Sequence, residues 1–175
     1  IGGDTVNTCR FPSNQLINGL LCDSNQVTFT TEWKLRACIL GDDDTIAGNL
    51  INKGTLAVFR NNGNFSIYCM YNPIIHGYHC SGTNYKSWWG GGGGIHFYPN
   101  GQLKRCQQIE EIEIQGVLCK PSSTRGGLWF CESGKIKGCT SAKDQTIDGV
   151  LHGKNFTIKF DEEGNITESY KDKFF

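Results

Sequence analysis

Cysteine is the residue type that offers this chain the most chemistry, with nine in 175 residues. Thiols at that density serve as metal ligands, redox groups or disulfides. Zinc sites are commonly built from Cys-x2-Cys knuckles, and the sequence has none. His76, His79 and Cys80 cluster, with His96 further on, but Cys80 has a better partner in another cysteine, so no metal is assigned. Disulfides are therefore the expected state, and with them an oxidising, extracellular location.

Other groups offer less. Glu110, Glu111 and Glu113 supply carboxylates, but any β protein carries such residues, and neither a Gly-x-Ser-x-Gly nucleophile turn nor a phosphate-binding Gly-Lys-Ser/Thr loop occurs. A secreted enzyme is accordingly the weakest reading, with no catalytic residue and no cofactor assigned. Three sequons, at Asn64, Asn155 and Asn165, are candidate glycosylation sites. An insertion, Ser81-Gly82-Thr83-Asn84-Tyr85-Lys86-Ser87-Trp88-Trp89, runs into five glycines, Gly90 to Gly94. Tyr85, Trp88 and Trp89 there are candidate ligand-binding residues, an aromatic platform for a sugar ring or a partner chain.

The elements that would position these groups repeat. Ile-x-Gly occurs at Ile17, Ile46, Ile75, Ile114 and Ile147. Downstream of each lies a Phe, at 29, 59, 97, 130 and 160, with an apolar residue two before it. Four residues after the Phe comes Gly63, Gly101, Gly134 or Gly164, with Trp33 in the first copy. Apolar residues two apart mark strands with one buried face, and Asn-Gly or Ser-Gly marks a hairpin turn. Each unit is thus expected to be a short Ile-x-Gly strand followed by a hairpin. The units run 11–41, 42–71, 72–109, 110–142 and 143–170 of a single repeat domain spanning 1–175. Segments 1–10 and 171–175 are expected as terminal caps or assembly strands. The predicted fold is all-β: about five tandem repeats in an extended antiparallel meander or solenoid-like sheet, cross-linked by disulfides.

The repeat also orders the cysteines. Cys38, Cys69, Cys106 and Cys139 each close the second hairpin strand, and Cys9 closes a truncated preceding unit. Cys22, Cys80 and Cys119 lie three residues past the Ile-x-Gly glycine. Joining each of these to the nearest preceding cysteine predicts Cys9–Cys22, Cys69–Cys80 and Cys106–Cys119. Cys131 and Cys139 are expected to pair across one hairpin, which leaves Cys38 free or bonded between chains.

The stretch Phe97-Tyr98-Pro99-Asn100-Gly101-Gln102-Leu103-Lys104, and after it Leu128 to Lys137, resembles MORN-type hairpin repeats, the bacterial variant in particular. The resemblance covers the hairpin halves of units two to five. It departs from the family in period, in the Ile-x-Gly segment and in the cysteines. It implies an extended meandering sheet used as a scaffold or contact surface, and it implies no catalytic residues.

Net charge is zero, from 17 basic and 17 acidic residues, and no basic block stands out, so nucleic acid is not an expected partner. No apolar run reaches the roughly 18 residues of a membrane span. The opening Ile1-Gly2-Gly3-Asp4, without Met, is expected to be the start of a mature product whose leader is gone. The leading functional expectation is a secreted structural or interaction protein that self-associates or binds another extracellular protein, for example as a filament or surface-layer subunit. The alternative is a carbohydrate- or protein-binding module carried by the aromatic insertion of unit three.

Overall fold

In a computed structural model of the chain, described for residues 7–82, 93–121 and 127–171, short hairpins alternate with long ones. The short hairpins are β2 (Gln15–Ile17) with the start of β3 (Leu20–Phe29), β5–β6 (Asp44–Ile46, Asn49–Ile51), β9–β10 (Ile74–Ile75, Tyr78–His79), β13–β14 (Ile112–Ile114, Val117–Cys119) and β17–β18 (Gln145–Ile147, Val150–His152). The long hairpins pair β3 with β4 (Leu35–Leu40), β7 (Leu56–Phe59) with β8 (Phe65–Tyr68), and β11 (Ile95–Phe97) with β12 (Leu103–Cys106). Two more pair β15 (Leu128–Phe130) with β16 (Ile136–Thr140), and β19 (Phe156–Phe160) with β20 (Ile166–Lys171). The long hairpins join edge to edge into one antiparallel meander, with β1 (Asn7–Cys9) against β3 at one edge and β20 at the other. The sheet does not close into a barrel. Among the described residues no helix is long and apolar enough to cross a membrane.

The Ile-x-Gly tripeptide is not a strand in itself, as its apolar lead had suggested. The Ile ends one strand, and the next two residues are a two-residue turn: Ile46 faces Asn49, Ile75 faces Tyr78 and Ile114 faces Val117. The x residues have φ of 47° to 51° and the glycines 76° to 85°. Positive φ at both central positions defines a type I′ turn, whose twist matches that of the flanking strands. The long hairpins turn differently. In the second, Arg60 N–H donates to Asn64 O at 2.9 Å and Gly63 N–H to Arg60 O at 3.0 Å, with Gly63 left-handed. Units three to five repeat this pattern at Gly101, Gly134 and Gly164; in unit one Trp33 itself adopts φ 60°.

Strand alternation sorts the sheet into two faces. One row across the inner face runs Cys9, Val27, Cys38, Ala57, Ile67 and Ile95, then Cys106 and Leu128, then Cys139, Ile158 and Ser169. The short hairpins lie over this face and contribute Ile46, Ile51, Ile75, Ile114 and Val117 to the same core. Phe65 and Phe97 stack at 4.5 Å, and Tyr78 of a short hairpin meets Phe130 edge-on at 4.9 Å. Phe65, Phe97 and Phe130 are buried, and each stabilises the fold by about 1.5–3 kcal/mol. The layers interlock between units. Asn49 Nδ2 in the second short hairpin donates to Gly101 O, in the third long turn, at 2.9 Å.

The disulfides staple the two layers together and correct the expected pairing. Cys22 is bonded to Cys38, and Cys119 to Cys139, with Cα separations of 5.7 and 5.9 Å. Cys38 is thus not the orphan, and the Cys9–Cys22, Cys106–Cys119 and Cys131–Cys139 assignments fail. The reason is topological: a short hairpin folds over the sheet strand of its own unit, which comes later in sequence, not over the preceding one. Cys9 on the edge strand, Cys69, Cys80, Cys106 and Cys131 are thiols in the structure, so the expected Cys69–Cys80 bond is not formed either. Cys69 was also placed in the wrong column. The other four long hairpins carry a register shift beside the turn, and β7–β8 does not. Without the bulge Ile67 stands opposite Ala57, and Cys69, six residues past its turn glycine where Cys106 and Cys139 are five past theirs, lies outside the inner row.

Candidate anion-binding groove

Among the described residues no hairpin covers the outer face of the meander, and a second row of directly paired residues crosses it. It runs Thr8, Thr28, Ala37, Val58, Ser66, His96, Arg105, Trp129, Gly138, Lys159 and Glu168. Its first part is small and neutral. From His96 onward it is basic and aromatic, and there it forms the floor of a groove of about 710 Å³. Arg60, Lys104, Arg105, Lys137 and Lys159 line this groove, and among the described residues no carboxylate does. Glu168, paired with Lys159 at 2.8 Å, stands just outside the lining.

Three of the cations lie against rings. Lys104 Nζ is 4.9 Å from the Tyr98 ring centre, Arg105 Cζ 5.8 Å from that of Trp129, and Lys159 Nζ 5.4 Å from that of Tyr170. Such contacts hold the long side chains over the sheet surface. Tyr98 is anchored in turn, since its hydroxyl donates to Phe130 O at 2.9 Å. Gly138 makes room for the neighbouring strand: a Cβ there would lie 2.7 Å from Ile158 O, and in ordinary contact, at 3.6 Å, with Cε3 of the half-buried Trp129.

The groove's field is visible in its histidine. His96 Nδ1 is hydrogen-bonded to Ser66 Oγ at 2.7 Å. Burial, and then the positive charges of Arg105, Arg60 and Lys104, push its pKa down to about 4. Arg105 is itself partly desolvated, which lowers its pKa. A site in which cations converge and water is partly excluded favours an anion that brings its own charge.

The residues singled out from sequence fall elsewhere. Tyr85, Trp88 and Trp89 lie outside the described residues. Asn64 follows its turn glycine and lines the groove, Asn165 is exposed beside Asp161, and Asn155 Oδ1 accepts from Lys120 Nζ at 2.7 Å. His76 sits at a short-hairpin tip with φ 51°, His79 faces Glu110 at 3.3 Å, and Cys80 points into the core, so the sequence cluster is dispersed. Glu110, Glu111 and Glu113 are exposed and lie outside the groove. The sequence reading missed the groove itself. Its signal was the outward-facing residue one before or after the Phe column, a position that the core-directed columns skip.

The class that these features define is a disulfide-stapled, all-β meander with one sheet face buried under short hairpins and the other open and basic. Its disulfides suit an oxidising environment. No family model, curated protein or solved structure matches the chain.

Proposed function

We propose that this protein is an extracellular binding module whose open sheet face takes an acidic polysaccharide, a chain of uronate or sulfated sugars. The observation that carries this reading is the paired row His96–Arg105–Trp129–Gly138–Lys159 beneath a groove lined, among the described residues, by five cations and no carboxylate, on a chain of zero net charge. Arg and Lys supply charge-assisted bonds to carboxylate or sulfate groups. The Trp129 face supplies a flat apolar surface of the kind a sugar ring covers. An elongated groove crossing several strands suits a linear polymer better than a compact ligand. An oxidising, extracellular setting favours a glycan over a nucleic acid. Asn64 stands at the groove wall, so a glycan on that sequon would compete with the ligand.

Isothermal titration against polygalacturonate, dextran sulfate, neutral dextran and single-stranded DNA tests the reading. The acidic polysaccharides are expected to bind, more weakly as salt rises, and neutral dextran is not. Arg105→Gln and Trp129→Ala should each lower affinity roughly tenfold, about 1.4 kcal/mol. Absence of binding to either acidic polysaccharide, or tighter binding to the DNA, would sink it.

A second reading, a self-associating structural subunit, is favoured by a different surface. The outward faces of the short hairpins expose Leu16, Leu50, Ile74 and Leu151, each more than 60 % accessible. Together with two unpaired sheet edges they form a repeated apolar ridge suited to contact between copies. Sedimentation equilibrium over a hundredfold concentration range distinguishes the readings, because a strict monomer excludes assembly and leaves the groove untouched.

A further inference from the structure

We propose that Cys80 and Cys106 form a third disulfide, equivalent to Cys22–Cys38 and Cys119–Cys139, that fastens the third short hairpin to the sheet.

Backbone register carries the argument. Cys22 faces Leu40, two residues past Cys38; Cys119 faces Ser141, two past Cys139; Cys80 faces Gln108, two past Cys106. The flanking hydrogen bond repeats as well. Gly41 N–H donates to Leu21 O at 2.7 Å, Ala142 to Leu118 at 2.8 Å and Ile109 to His79 at 3.1 Å. In each case the donor lies three residues past the sheet cysteine, and the acceptor lies one before the hairpin cysteine. A disulfide requires the two backbones at a set distance and orientation, and three sites with one register meet that requirement alike. Cys80 and Cys106 are both fully buried, and their thiols are hydrogen-bonded to each other.

Cys69 is the competitor, because it is also buried and close enough to Cys80 for that thiol to add to the upward push that burial gives its pKa. It lies two residues outside the column, however, and its thiol is directed to Tyr71 O at 3.3 Å. The reaction is an exchange. A small-molecule or protein disulfide RSSR accepts two electrons from the two thiols; the Cys80–Cys106 bond forms, the RS–SR bond breaks, and the two thiol protons leave on two RSH. Burial protects both thiols from exchange in the finished fold, so the bond is set as the unit closes.

The test is disulfide mapping of the full chain refolded in a reduced/oxidised glutathione buffer. Cyanogen bromide cleaves at Met70, the single methionine, and so separates Cys69 from Cys80. Trypsin and a glutamyl protease then separate Cys106 from Cys119. The expected result is a fragment containing Cys80 joined to one containing Cys106, with Cys9, Cys69 and Cys131 alkylated as thiols. A Cys80–Cys69 link, or Cys80 and Cys106 both alkylated, overturns the proposal. The Cys69→Ser variant provides a second reading, because the Cys80–Cys106 fragment must survive in it.

Discussion

His96 shows how one side chain records first its burial and then the positive charge gathered around it. Its folded pKa of about 4 lies below its ordinary value of 6.5. Between those two values the unfolded chain binds the proton and the folded chain does not, so stability rises with pH there. The contribution is complete above pH 6.5 and is lost as the pH falls toward 4. It amounts to something on the order of 2–3 kcal/mol. His96→Gln is expected to flatten this part of the profile, read as the difference between variant and wild type in urea midpoints at pH 7 and pH 4.5. Equal pH dependence in the two proteins would mean that His96 titrates normally, neither desolvated nor held among positive charges. None of this was legible from the sequence. His96 and Arg105 become neighbours only through the pairing of β11 with β12, and Arg60 reaches them from another unit.

At the scale of the element, two glycines with the same backbone separate conformational strain from collision. Gly19 and Gly101 have φ of 83° and 84°. A Cβ on Gly19 meets nothing within 4 Å, whereas on Gly101 it would run into the Ala47 carbonyl. Gly19→Ala should cost about 1–2 kcal/mol, the left-handed penalty alone. Gly101→Ala should cost about 2–4 kcal/mol, because overpacking of the hairpin interface is added; urea denaturation of both variants measures the gap. The hairpins were legible, because turn glycines and the Phe columns are local signals. The disulfides were only half legible: the right columns were found, but proximity in sequence was used where the fold pairs a hairpin with the strand that follows it. The missing bulge of β7–β8 is a further case, since a one-residue change of register leaves no mark in composition. Unit five extends the disulfide rule. Its column positions hold His152 and Ser169, whose Nδ1 and Oγ lack hydrogen-bond partners. The double variant His152→Cys, Ser169→Cys is expected to form a disulfide on oxidation and to gain up to about 3 kcal/mol. Free-thiol titration and thermal unfolding check it.

Seen as a whole, the molecule divides its labour between faces. One side of the sheet is used up in making a core with the short hairpins, and the other is left with a surface chemistry that composition does not foretell. Seventeen basic and seventeen acidic residues cancel in the sum, yet four different hairpins bring Arg60, Lys104 with Arg105, Lys137 and Lys159 to the same groove. A zero total charge thus coexists with a strongly signed patch, because residues far apart in the chain meet only through strand pairing. The meander has a mechanical consequence too. With β1 and β20 at opposite edges, tension between those strands acts across the sheet and peels the hairpins one after another, like a zipper. The cross-links set limits on that extension. The loops closed by Cys22–Cys38 and Cys119–Cys139 span 16 and 20 residues, which withholds about 55 Å and about 70 Å of contour length until the sulfurs are reduced. A sheet of this design yields in steps under such tension and then stops short of full extension.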